Sequence, residues 1–208
     1  MGKIELIKEA IEKGIAEQSK LTSHQFDVGG FTSPKIRHIM NNLGAISTNY
    51  LECGSHIGCS LIMTTYGNDN LKTSVAIDNW SEFNNGGRTK QQFLDNCENN
   101  ISGKYQFIEK NCFKITEQDL PAKADLILID AAHDYESQRD GITHFAPIVE
   151  SECIWMVDDT AWNAPMAGTN KGIQDAGLKI LFETFLYDGK EGGEFWNGFS
   201  IFLLKQQA

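Results

Sequence analysis

Tyr50-Leu51-Glu52-Cys53-Gly54-Ser55-His56-Ile57-Gly58 decides how this chain is read. An apolar run enters a turn bounded by two glycines, and a helical pattern opens at the second. Glycine admits positive φ and lets a backbone approach a ligand closely, while the first turn of the helix beyond offers unpaired N–H groups. Strand, glycine turn and helix together form the first unit of a sheet that binds ligands at its strand ends.

Working outward from that turn, short apolar runs alternate with helical stretches. Strands are expected over 48–53, 73–78, 105–109, 124–130, 153–157, 180–186 and 198–204, and helices over 57–66, 88–100, 137–149 and 171–177. Such alternation indicates crossover units and a mainly parallel, helix-covered α/β sheet. Ala124-Asp125-Leu126-Ile127-Leu128-Ile129-Asp130 is almost wholly apolar after Asp125, as a central strand buried on both faces should be. No helical pattern separates the last two strands, so the seventh is expected to return antiparallel to the sixth. Upstream, Ile4, Ile7, Ile11 and Ile15 mark an amphipathic helix. A second helix is capped by Ser33, begins with Pro34 and is ended by Gly44. Residues 1–45 therefore read as a helical, substrate-capping segment, and 46–208 as one compact ligand-binding domain.

Composition removes several classes. With 208 residues, 41% hydrophobic and 22% charged, the chain is ordinary globular material for one substantial domain. No apolar run approaches the roughly 20 residues of a membrane span, and no signal-peptide core opens the chain, so a cytoplasmic protein is expected. A net charge of −10 with dispersed Lys and Arg argues against nucleic acid. Five cysteines without CxxC spacing suit a reducing compartment and read as small buried apolar residues.

The turn is not Gly-x-Gly-x-x-Gly: His56 stands where dinucleotide binders need glycine to admit a pyrophosphate. Asp78, 20 residues beyond Gly58, ends the next strand, where a carboxylate can accept from both hydroxyls of a ribose. Glu52 suits a ligand bearing positive charge. The four motifs Glu52-x-Gly54-x-x-x-Gly58, Ile77-Asp78-Asn79-Trp80, Ile129-Asp130-Ala131-Ala132-His133-Asp134-Tyr135-Glu136 and Val157-Asp158-Asp159, in this order and spacing, resemble the class I S-adenosylmethionine (SAM)-dependent methyltransferases. The resemblance runs from about residue 30 to the C-terminus and is nearest to small bacterial O-methyltransferases. It implies a Rossmann-like sheet of seven strands in the order 3-2-1-4-5-7-6, strand 7 antiparallel, with helices on both faces. It also implies that SAM lies along Glu52, Gly54, Ser55 and Gly58, with Asp78 on the ribose, Asn79 and Trp80 near the adenosine, and Cys112 and Phe113 lining the adenine pocket. The family's Pro-Gly-Gly-like turn before strand five is replaced here by Pro147-Ile148-Val149-Glu150.

Asp130, Asp158 and Asp159 all end strands on one rim. Carboxylates so grouped repel one another unless a cation joins them, and oxygen-only ligands suit Mg²⁺. A hydroxyl bound to such an ion loses its proton more readily, as transfer to oxygen requires. Metal-dependent relatives use carboxylates at such strand ends, which makes Asp130, Asp158 and Asp159 the expected ligands. In the alternative reading Asp130 faces the cofactor's cationic end, while Asp158 and Asp159 cap the following helix. His133, three residues beyond Asp130, is the candidate base, with Asp130 beside it. His56, inside the turn, is placed to touch cofactor or substrate. Phe26, Phe31, Trp162 and Trp196 stand in loops that can wall a substrate site.

The expected reaction is methyl transfer from SAM to a hydroxyl of a small molecule, with Mg²⁺ assisting. Alternatives are a metal-independent methyltransferase on another small nucleophile and a non-catalytic SAM-binding protein. A base-modifying methyltransferase is disfavoured because Asp130-Ala131-Ala132-His133 replaces the Asn/Asp-Pro-Pro-aromatic motif. A nicotinamide-dependent oxidoreductase is disfavoured by His56 and by the Asp158-Asp159 pair. The apolar face at Ile4–Ile15 permits a homodimer through the N-terminal helices.

Overall fold

The structure, a computed structural model, describes residues 2–101, 103–130 and 132–207; Ala131 of the third motif lies outside them. Seven strands form one sheet: β1 (Asn49–Cys53), β2 (Thr73–Asp78), β3 (Gln106–Glu109), β4 (Leu126–Ile129), β5 (Glu152–Val157), β6 (Leu178–Leu186) and β7 (Phe199–Gln206). Their order is β3-β2-β1-β4-β5-β7-β6, and β7 runs antiparallel to both of its neighbours while the other pairs are parallel. This is the expected sheet, and it follows from strands whose side chains alternate between two cores. Tyr50, Leu126, Leu128, Ile154 and Met156 face helices α1 (Lys3–Ile15), α3 (Pro34–Ala45), α4 (Cys59–Thr65) and α5 (Arg88–Asn100). Leu51, Ile127, Ile129, Trp155 and Val157 face α6 (Tyr135–Phe145) and α7 (Asn163–Asp175). A short α2 (Ser23–Phe26) lies in what the sequence marks as loop.

Ser33 caps α3 as expected, its Oγ accepting from the Ile36 N–H at 3.4 Å. Gly44 does not end that helix but sits inside its last turn, where a Cβ would overlap the Thr64 carbonyl. The last crossover helix differs more. Expected over 171–177, α7 begins at Asn163, so Pro165 occupies its first turn, and Gly168 and Gly172 lie within it. A Cβ at Gly172 would come within 2.7 Å of the Arg139 carbonyl, and one at Gly168 within 2.9 Å of Gln138 Cβ. These glycines let α6 and α7 touch closely and do not break the helix. The apolar face of α1 is likewise consumed inside the chain: Ile7 and Ile11 are buried and Gly14 lies directly against Ile39 of α3. Ile4 is half-buried and Ile15 is exposed at the ends of that face.

Gly58 sits at the N-cap of α4 with φ +85°. A Cβ there would stand 3.0 Å from Cys97 Sγ and 3.1 Å from the Phe93 ring. Gly58→Ala is therefore expected to cost about 1–3 kcal/mol and to lower the melting temperature by about 5 °C, read by thermal unfolding. An unchanged transition would show that α4 shifts to accommodate the methyl group.

Candidate active site

The parallel strands end along one edge, and a cavity of about 500 Å³ opens there, within the range of small-ligand sites. The glycine turn forms its floor. Gly54 and His56 have φ of +93° and +45°, and the turn is fastened to the end of β2. Asp78 Oδ2 accepts from the Ser55 and His56 N–H groups at 2.9 and 2.8 Å, and Oδ1 accepts from the Trp80 N–H at 2.7 Å. The Trp80 indole N–H donates to the His56 carbonyl at 2.9 Å. Asp78 thus spends three of its roughly four lone-pair sites on holding the turn. One acceptor site remains toward the cavity that Asp78 lines.

Gly54, Ser55, Asp78, Asn79, Trp80, Cys112, Phe113 and Asp130 share this cavity with His133, Asp158 and Asp159. Trp80 is buried against Phe93 and Phe107, while Asn79 is exposed and closes its own turn by accepting from the Ser81 N–H. Glu52 and Gly58 stand one layer behind the wall. Glu52 is fully buried and accepts from the Tyr50 hydroxyl at 2.8 Å, yet its Oε1 has no partner. Burial pushes the Glu52 carboxyl up to about 7, against the opposing effect of the nearby Ser55, Tyr50 and Ser60 hydroxyls. Ser55 Oγ and Thr32 Oγ1, on the wall, are also buried without partners. The cavity end near Glu52 therefore offers negative charge and unsatisfied hydroxyls, a cradle for a cationic, hydrogen-bonding group.

At the other end, β4 and β5 deliver the acidic rim. His133 Nε2 lies 2.9 Å from Asp159 Oδ2 and 3.5 Å from Asp130 Oδ1. The carboxylates of Asp130 and then Asp159 raise the imidazolium up to about 10, so in this arrangement His133 is a cation between two anions. Burial, foremost, raises the Asp130 carboxyl, and His133 opposes it. Asp159 has φ +55°, which turns its side chain toward His133, and its Oδ1 is buried without a partner. Ligand atoms of Asp130, His133 and Asp159 all lie within 4.8 Å of one another, close enough to hold one ion. Asp158 is not in that trio. It is buried, accepts from the Asp159 N–H at 2.9 Å, and is held well above the ordinary carboxylate range by burial and then by Asp130 and Asp159. Nor do these aspartates cap α7, whose N-cap is Trp162.

Of the aromatics proposed as walls, Phe31, Trp162 and Trp196 reach the cavity. Phe26 packs instead on His38, with the Arg37 guanidinium over its ring. The sequence reading passed over Thr32 and Phe83, both on the wall. Phe83 had one available signal: a lone aromatic in Ser81-Glu82-Phe83-Asn84-Asn85-Gly86-Gly87, a polar loop with no core to serve.

A family model described as a methyltransferase domain matches residues 51–160, more than half of the chain. No curated protein matches it in sequence. Similar solved structures include cofactor-bound Rv0187 from MTB, 16% identical with a TM-score of 0.64, covering 98% of this chain and 91% of that one. An O-methyltransferase from Bacillus cereus in complex with SAH is 17% identical, with a TM-score of 0.61 and coverage of 99% and 93%. TomG from Streptomyces achromogenes, an O-methyltransferase involved in tomaymycin synthesis and solved with SAM, is 17% identical, with a TM-score of 0.60 and coverage of 95% and 90%. At such identities the likeness is one of fold.

Proposed function

This chain belongs to the methyltransferase-domain family, the class I SAM-dependent methyltransferases, and on that premise we propose that it transfers a methyl group to a hydroxyl of a small molecule. The observation that carries the proposal is a single cavity joining the glycine turn to the Asp130–His133–Asp159 rim. When bound, SAM would supply an electrophilic methyl carbon on a sulfonium for the acceptor oxygen, sulfur keeping the electron pair of the C–S bond. The protein's part is to line up the reactants, worth up to roughly 7–11 kcal/mol in ideal cases, and to manage one proton.

In this reading Glu52 attracts the amino-acid end of the cofactor through the hydroxyl-lined wall at Ser55. The free acceptor site of Asp78 meets the ribose, the Gly54 backbone runs beside the ligand, and Cys112 and Phe113 border the base. Gly58 acts from behind, by starting α4. Phe31, Thr32 and Met40 line the same cavity, which supports residues 1–45 as its cap. The acceptor hydroxyl enters between Trp162 and the acidic rim, where Asp130 is the proton acceptor. His133, already protonated, orients the two carboxylates and balances their charge.

The rim would take a divalent ion only with His133 deprotonated, its Nε2 then free to bind metal in place of a proton. Asp130, His133 and Asp159 would hold it, and it would supply Lewis acidity that lowers the acceptor hydroxyl's pKa. One nitrogen among the donors suits Mn²⁺ or another first-row ion at least as well as Mg²⁺. No helix among the described residues is long and apolar enough to cross a membrane.

Calorimetric titration tests the cofactor assignment. SAM and S-adenosylhomocysteine are expected to bind at one site per chain, and NAD to give no heat. Binding of NAD with no response to either sulfur compound would reject the proposal.

A further inference from the structure

The cavity mouth carries an aromatic assembly whose two phenylalanines pack into neither core. Phe31 and Phe83 are 62% and 60% exposed, the two most exposed large apolar side chains among the described residues. They are not scattered, as isolated surface apolar residues usually are. Phe31 lies 6.3 Å from Phe83 and 6.3 Å from Trp196, and stacks on the His56 ring at 5.5 Å with an interplanar angle of 18°. His56 in turn meets Phe83 edge-on at 5.7 Å. Four separate segments converge: the loop before α3, the glycine turn, the loop after β2 and the β6–β7 connection.

The assembly is also built at a cost. His56, Phe83 and Trp196 have φ of +45°, +50° and +53°, a region bulky residues rarely occupy. Such conformations persist only where the surroundings over-determine them, and they gather at ligand clamps. The β6–β7 connection that carries Trp196 is tied down at two points. Glu194 pairs with Lys35 at 2.6 Å and its carbonyl accepts from Ser33 Oγ at 2.6 Å, while Glu191 accepts from the Trp162 indole at 3.2 Å. Phe31 and Phe83 are thus held in place with much of their surface open, beside the half-buried rings of Trp196 and His56.

Charge narrows what they hold. Lys110, on the cavity wall, is paired with Asp119 at 3.0 Å, and His133 is spent on Asp130 and Asp159. Glu82 and the aspartates line the rest, and burial lowers the His56 pKa, keeping that ring neutral. An anionic acceptor finds no unpaired lysine or arginine on the described wall. A sugar needs many hydrogen-bond partners, and of the four rings only Trp196 and His56 carry a polar edge.

Building on the methyl-transfer reading, we propose that Phe31, Phe83 and Trp196 form the acceptor subsite and that the acceptor is an uncharged planar aryl alcohol, its ring held among theirs and its hydroxyl directed to the Asp130 rim. The test uses protein saturated with S-adenosylhomocysteine and three probes: 2,3-dihydroxynaphthalene, its 6-sulfonate and methyl glucoside. Dihydroxynaphthalene is expected to bind, and the sulfonate to bind at least about tenfold more weakly. Phe31→Ala and Trp196→Ala should each weaken dihydroxynaphthalene by about tenfold, the loss of most of one ring contact, with S-adenosylhomocysteine affinity unchanged. Equal or tighter binding of the sulfonate or the glucoside, or indifference to both substitutions, overturns the proposal. Should S-adenosylhomocysteine bind and dihydroxynaphthalene not, the aryl assignment alone falls. Should S-adenosylhomocysteine itself fail to bind, the methyl-transfer reading falls and this proposal with it.

Discussion

Glu52→Gln is expected to cut SAM affinity by about 100-fold while making the ligand-free protein more stable. Both effects come from one buried charge. A carboxylate separated from a cation by one hydroxyl, roughly 5–6 Å in a medium of effective dielectric near 20, attracts it by about 3 kcal/mol. That is about 100-fold in affinity. The same carboxylate, fully buried with one oxygen unpartnered, burdens the empty fold. Its pKa rises from 4.5 to about 7. The unfolded chain therefore releases this proton from about pH 4.5 upward, and the folded chain only near 7. Stability from this group is lost as pH rises through that window, by about 3 kcal/mol, and stays lost above it. Glutamine carries no proton to release. At pH 8 the variant should melt about 6–10 °C higher, and the gain should fade as pH falls toward 4.5. Wild-type SAM affinity should weaken below about pH 7, by up to about tenfold per unit, with the variant's affinity flat. Thermal melts and calorimetry across pH 5–8 read both effects. If the variant binds SAM as wild type does, Glu52 is a structural residue and the cationic end of the cofactor lies elsewhere.

The sequence carried the sheet because each strand reports its own burial. β4 is apolar at every position, since helices cover both its faces, and the missing helical pattern before β7 gave its direction. What it could not carry was the use of small residues and the reach of side chains. Gly168 and Gly172 look like helix breakers in one dimension, yet they are where α6 lies against α7. Asp78 was read as a ribose ligand from its place at a strand end. Its three backbone hydrogen bonds became visible only when the turn folded back over it. The Asp158-Asp159 pair shows the same limit. Both line the cavity, but Asp159 reaches His133 while Asp158 accepts from the Asp159 N–H instead. Periodicity names the elements and the rim on which a site stands; which of two adjacent carboxylates meets His133 depends on the backbone turn at Asp159.

Asp130→Asn is expected to lower kcat by about 10²–10⁴ while leaving the affinity for S-adenosylhomocysteine within a few-fold of wild type. Asparagine keeps the size of the side chain and an acceptor oxygen, so the wall of the cavity survives. What it loses is the negative charge that faces His133 and the ability to take the acceptor's proton. The two roles open to Asp130 separate in this measurement. A residue that only attracts the sulfonium end of the cofactor would raise KM for SAM and spare kcat, because that attraction weakens as the charge is discharged in transfer. A residue that receives the proton, or that helps hold an ion which acidifies the hydroxyl, would lower kcat at saturating SAM. Chelation distinguishes the last two. If an ion sits among Asp130, His133 and Asp159, removing divalent metal should reproduce the loss in the wild-type enzyme and add nothing to it in the variant. Full wild-type turnover in chelator, together with a crippled variant, would leave the carboxylate itself as the proton acceptor. His133 would then be the cation that holds Asp130 and Asp159 in register.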